Sequence, residues 1–123
     1  MANRSWQKPL LAQLRKWAAN NFPLQFPVRC YVRPAEKMDN AEGLFEIDDD
    51  ELRGVITISD SHRSRGELIE TFIEEWAHAR TIFLVDRTTQ ETIHDPTFWA
   101  EKGKISDAIR KGPDFFDVSE YEE

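Results

Sequence analysis

The chain has 123 residues, 40% hydrophobic and 32% charged, the size and composition of one globular domain that can bury its own core. A formal charge of −7 argues against a binder of phosphate backbones, which needs a basic face to displace counterions, so there is no strong nucleic-acid signal. One cysteine, Cys30, excludes an internal disulfide, and no apolar run nears the ~20 residues of a membrane span; a cytoplasmic protein with no membrane partner is therefore expected.

The first predicted element is a helix over residues 5–20. Trp6, Leu10, Leu11, Leu14, Trp17 and Ala18 recur at helical spacing and form one apolar stripe. Pro9 is tolerated in the first turn, and Asn20, Asn21 and Pro23 end the element. Val28, Cys30 and Val32 then alternate with Arg29, Tyr31 and Arg33, which predicts a half-buried strand stopped by Pro34. Arg29, Arg33, Arg63, Arg65 and Arg80 read as scattered surface charges.

Residues 43–48 and 52–59 read as a hairpin. Phe45 and Ile47 alternate on its first arm, and the second, Gly54-Val55-Ile56-Thr57-Ile58, is strongly β-branched. The turn Asp48-Asp49-Asp50 joins them and lacks the Asp/Asn-Gly-Glu spacing of a calcium loop. Residues 65–83 make the most strongly patterned helix, with Leu68, Ile69, Phe72, Ile73, Trp76 and Ala79 as its stripe. Ser59, Asp60 or Ser64 can cap it, and Glu67 suits its first turn.

Polar, Thr-rich residues 84–94 predict a loop. A last helix opens with Asp95 as N-cap and Pro96 at its first position, carries Phe98, Lys102, Ile105 and Ile109 on one face, and ends at Gly112-Pro113. An acidic tail follows from about residue 114 to 123; Phe115 and Phe116 are candidates to fold back on the core, and the end is expected to fray. Helix, three strands, helix, helix is an α+β order: a small antiparallel or mixed sheet with helices on one face and the 65–83 helix at the centre, all in one domain spanning 1–123.

The chemistry concentrates in Glu74-Glu75-Trp76-Ala77-His78. A helix sets residues i and i+4 on one face, so Glu74 and His78 present a carboxylate and an imidazole one turn apart, both competent metal donors. Glu75 projects about 100° further round and would lie beside a metal held by its neighbours. A third donor must come from elsewhere, and His94 precedes the last helix on a loop long enough to return over this one. The zinc-peptidase helix His-Glu-x-x-His uses its two His as ligands and its Glu as general base; here the pattern is Glu-Glu-x-x-His.

Ile73-Glu74-Glu75-Trp76-Ala77-His78-Ala79, a loop, and His94-Asp95-Pro96-Thr97-Phe98-Trp99 resemble the SprT-like minimal zincin metallopeptidases, including small versions encoded by phages. Those typically read His-Glu-(Trp/Met)-Ala-His-Ala, followed by a His-Gly-Pro-x-Phe/Trp segment that opens the next helix. The likeness is clearest over residues 55–109. It implies a minimal zincin-like domain: N-terminal helix, three-stranded sheet, active-site helix and C-terminal helix. It also implies a zinc ion or other divalent metal, with His78 as second ligand, His94 as third and Glu75 as general base for hydrolysis of a protein or peptide substrate. Glu74 stands where the family has its first His, and Asp95 replaces a common Gly. Glu74 remains a competent ligand, since catalytic zinc sites with two His and one Glu exist.

Other readings compete. An acidic helix stretch such as Glu67, Glu70, Glu74 and Glu75 is often only a solvated face, and His78 alone could be a hydrogen-bonded core histidine. His62, in a Ser-rich turn, reads as an exposed loop residue; Trp76, Phe98 and Trp99 read as core; Cys30 reads as a small buried hydrophobe. Glu75-x-x-His78 and Glu91-x-x-His94 are two Glu-x-x-His pairs, but a di-iron bundle needs four long helices, and the β-branched segments oppose that. The second functional expectation is a catalytically inactive protein that keeps the fold and binds a partner protein. The missing first His favours this one, and the retained Glu75, His78 and His94 favour the peptidase.

Overall fold

The computed structural model describes residues 5–48, 50–82 and 96–112. They form α1 (Gln7–Asn21), β1 (Val28–Arg33), a short 3-10 turn (Ala35–Lys37), β2 (Gly43–Asp48), β3 (Arg53–Ser59), α2 (Arg65–Thr81) and α3 (Pro96–Arg110). The protein is a small α+β domain with three helices and a three-stranded sheet among the described residues.

The sheet is mixed, in the order β1-β3-β2. β3 takes the centre because it is the strand whose two faces are both apolar or small: Ile56, Thr57, Ile58 and Ser59 are all buried. It runs parallel to β1 and antiparallel to β2. The register lines up Cys30, Ile56 and Phe45 on the face toward the helices, and Tyr31, Thr57 and Leu44 on the opposite face. Gly54 sits where an added Cβ would lie 2.8 Å from the Phe45 ring and 3.0 Å from that of Phe26. Its missing side chain is what lets these two rings stack on the strand, 6.1 Å apart.

The hairpin forms as its pattern predicts. Asp48 Oδ1 accepts from the Asp50 and Glu51 amides, so this carboxylate closes the turn. Of the three candidate caps for α2, Ser64 is the one used: its hydroxyl accepts from the Glu67 amide, while Glu67 Oε2 reaches back to accept from the Arg63 amide. Asp60 instead accepts from the Ala35 amide.

α2 lies at the centre, packed against α1, β2, β3 and α3. Leu68, Phe72, Ile73, Trp76, Ala77 and Ala79 bury its broad apolar stripe. The Trp76 indole N–H, deep in this core, donates to the Phe22 carbonyl at 3.0 Å, and its ring stacks on Phe72 at 5.5 Å. α3 docks through Phe98 and Ile105. Trp99 does not join them: it is 54% exposed, because a residue next to Phe98 on a helix points about 100° away. No helix of the described residues is long and apolar enough to cross a membrane. The loop at 84–94, the Asp95 cap, and Phe115 and Phe116 lie outside the described residues.

Candidate functional site

α2 and α3 pack along one seam. His78 meets Phe98, Arg80 donates to Glu101 at 2.8 Å, and Glu70 and Glu74 meet Lys102. The apolar stripe of α2 leaves Glu74 and His78 at its border, both half-buried on this seam. The His78 ring stacks on Phe98 with centroids 4.4 Å apart and planes 24° apart. Lys102 Nζ lies 3.2 Å from Glu70 Oε1 and 3.4 Å from Glu74 Oε1, and 5.3 Å from the centroid of the Trp99 ring. The two residues expected to share a helix face therefore both contact one partner helix.

Glu75 leaves the same turn in another direction. It is 6% exposed and lies against β2: an added Cβ at Gly43 would sit 3.1 Å from Glu75 Oε2 and 2.6 Å from Thr71 Cγ2. Burial, and then the negative charge of neighbouring Glu74, push the Glu75 carboxyl up to about 7. A carboxyl buried beside a half-buried glycine of an edge strand is not the solvated helix face that an acidic run suggests.

His62 is a correction to the sequence reading: it is 4% exposed, not a surface loop residue. Its Nδ1 donates to the Ser59 carbonyl at 2.7 Å, and its Nε2 pairs with Thr71 Oγ1 at 2.7 Å. Behind it, Gln7 of α1 donates to the His62 and Asp60 carbonyls at 2.8 and 3.1 Å. The signal for this network was Gln7, an amide on a stripe that is otherwise apolar, since a buried amide needs partners.

Thr71 is thus fixed at its hydroxyl by His62 while its methyl faces Gly43, one turn before Glu75. Gly43→Ala is expected to cost ~1–3 kcal/mol, because a β-branched side chain held at its hydroxyl cannot yield to a methyl placed on it. Urea unfolding measures this, and an unchanged midpoint would show that β2 and α2 are not packed as closely as described.

Cys30 is half-buried against the core, and burial pushes its thiol up to about 12 although Arg15 opposes this. Burial of this kind disfavours the thiolate, the form in which a cysteine acts as a nucleophile. His94 lies outside the described residues; in sequence it precedes Pro96, the first residue of α3, by two positions. Among the described residues no three His, Cys, Asp or Glu side chains group as a metal cradle. Neither a protein-family model, a curated protein nor a solved structure matches the chain.

Proposed function

We propose that the chain is a zincin-like domain of the SprT type that holds one divalent metal, zinc foremost, through Glu74, His78 and His94, and that it hydrolyses peptide bonds. One observation carries the reading: a single turn of α2 sends Glu74 and His78 to the α3 seam and buries Glu75, a residue between them in sequence, against β2. The donors fit a divalent ion in their chemistry, a carboxylate and two imidazoles. The seam also already accommodates a cation, since the Lys102 ammonium lies on Glu74.

A metal bound there supplies a Lewis acid that polarises a carbonyl and makes water more acidic. The chain's own part is positional. Glu75, next in sequence to one donor and three residues from the other, is the group placed to take a proton from an attacking water. Packing against Gly43 holds it on β2, an edge strand among the described residues. An extended polypeptide adding to the open edge of β2 by main-chain hydrogen bonds would run past this carboxyl. That favours unfolded or extended polypeptide as the substrate class.

Zinc calorimetry on protein purified without a metal-affinity tag tests this. Wild type is expected to bind one zinc, Glu74→Ala to bind about tenfold more weakly or worse, and Glu74→His to bind more tightly, because it rebuilds the family's ligand triad. Equal affinity in wild type and Glu74→Ala removes Glu74 from the ligand set. A second reading, a protein-binding module without hydrolysis, is favoured by the Lys102 contact on Glu74. No binding by wild type together with tight binding by Glu74→His would select it.

A further inference from the structure

We infer that Lys102 is a built-in competitor of the metal for Glu74, so that a divalent ion enters the site by displacing the Lys102 ammonium onto Glu70. The inference rests on the reading that Glu74 is a metal ligand. The geometry is that of a shared cation. Lys102 Nζ lies almost equally near Glu70 Oε1 and Glu74 Oε1, at 3.2 and 3.4 Å, and these acceptors stand one turn apart on α2. The lysine is held in place: its side chain is 18% exposed, and the ammonium lies over the Trp99 ring.

The two carboxylates are not equivalent. Glu70 is 61% exposed and Glu74 is 40% exposed, so the Glu74 contact is the less screened of the two. A metal that takes Glu74 leaves Lys102 with Glu70 still in reach, and the swap leaves no ammonium stranded. The pairing also accounts for the residue at position 74. A neutral imidazole there would give an ammonium no charge to hold, whereas a carboxylate attracts both the lysine and the metal. Apparent metal affinity is therefore set below what the donors alone would give, by the free energy needed to move Lys102 off Glu74.

Zinc titration by calorimetry on chelator-stripped protein tests the competition. Lys102→Met keeps the chain length over Trp99 and removes the charge; it is expected to raise zinc affinity about threefold to fivefold, the size of one partly exposed ion pair. Lys104→Met removes an equal charge from the same helix at a side chain that is 70% exposed, and is expected to change affinity by less than about twofold. The gain from Lys102→Met is expected to vanish when Glu74→Gln is added. Circular dichroism and the midpoint of thermal unfolding in chelator check the fold, and Lys102→Gln carries the same test if Lys102→Met does not fold. Zinc binding that is equal in wild type and Lys102→Met overturns the competition and leaves the metal site standing. A gain that survives Glu74→Gln also overturns it, by placing the effect elsewhere. Binding by none of the variants overturns both the competition and the metal reading on which it rests.

Discussion

Phe98→Ala is expected to lower the free energy of unfolding by about 3–5 kcal/mol, against the ~5–15 kcal/mol that holds a typical domain folded. α3 has two fully buried side chains, Phe98 and Ile105, both at 0% exposure, so Phe98 is half of the apolar anchor that docks this helix. Its ring does three jobs. It fills the core, stacks on His78 at 4.4 Å, and meets the edge of Trp99 at 5.2 Å. Further attachments among the described residues are the partly buried Ala108 and Ile109 and the ion pairs of Arg80 with Glu101 and of Lys102 with Glu70 and Glu74. Such pairs contribute ~0–1 kcal/mol each where solvent reaches them, too little to replace a buried ring. Urea unfolding in chelator is the measurement, with Phe98→Leu as the control that keeps most of the volume and costs about 1 kcal/mol. A lowered slope together with a lowered midpoint would mean that α3 has already left the domain before the cooperative transition. A cost under about 1 kcal/mol for Phe98→Ala would show that the α2–α3 seam, which carries Glu74 and His78, is not formed as described.

The elements were legible where one period dominates. The stripe of α1, the alternation of β1 and the β-branched run of β3 each select a structure from a few neighbouring residues. Pairing was less legible. Alternation says that β1 has an inner face, but nothing within Val28–Arg33 says that β3 will lie beside it in parallel. Two burial assignments are reversed in the structure, His62 from surface to core and Trp99 from core to surface. His62 sits among Ser and Asp residues that mark a turn, yet its burial depends on Gln7, 55 residues away, and on Thr71 across the start of α2. Trp99 is as apolar as Phe98, yet α3 buries a narrow stripe of Phe98 and Ile105, and the position about 100° round from Phe98 falls outside it. At the site, the shared face of Glu74 and His78 follows from helical spacing alone. The separate burial of Glu75 follows only once Gly43 is known to lie over it. Periodicity groups Lys102 with Phe98, Ile105 and Ile109 as one face of its helix; its contact with Glu74 depends on how α2 and α3 pack, which no local pattern encodes. His94 lies outside the described residues.

Above pH 7 in chelator, Glu75→Gln is expected to be more stable than wild type by ~3 kcal/mol, with the difference closing to near zero at about pH 4. The sign follows from where the proton is held. In the folded chain the Glu75 carboxyl keeps its proton up to about 7, whereas unfolding returns it to the ordinary value of 4.5. Between these values the native state binds more protons than the unfolded state, so wild-type stability falls as pH rises through the window and stays low above it. Glutamine has nearly the same shape and no proton to lose, so its stability lacks this fall. Other groups titrate too, but the difference between the two proteins isolates position 75. Thermal or urea unfolding of both at pH 4, 6 and 8 measures it, and parallel curves would show that Glu75 is not buried as a charge. The same substitution separates stability from chemistry. If Glu75 takes the proton from water, Glu75→Gln binds zinc as wild type does, unfolds later at pH 8, and hydrolyses nothing. A gain in stability joined to a loss of activity is what a residue kept for its reaction should show, since a carboxylate held dry is costly to the fold. If Glu75→Gln still hydrolyses an unfolded polypeptide at the wild-type rate, the proton goes elsewhere and the assignment of Glu75 fails, whatever the metal result.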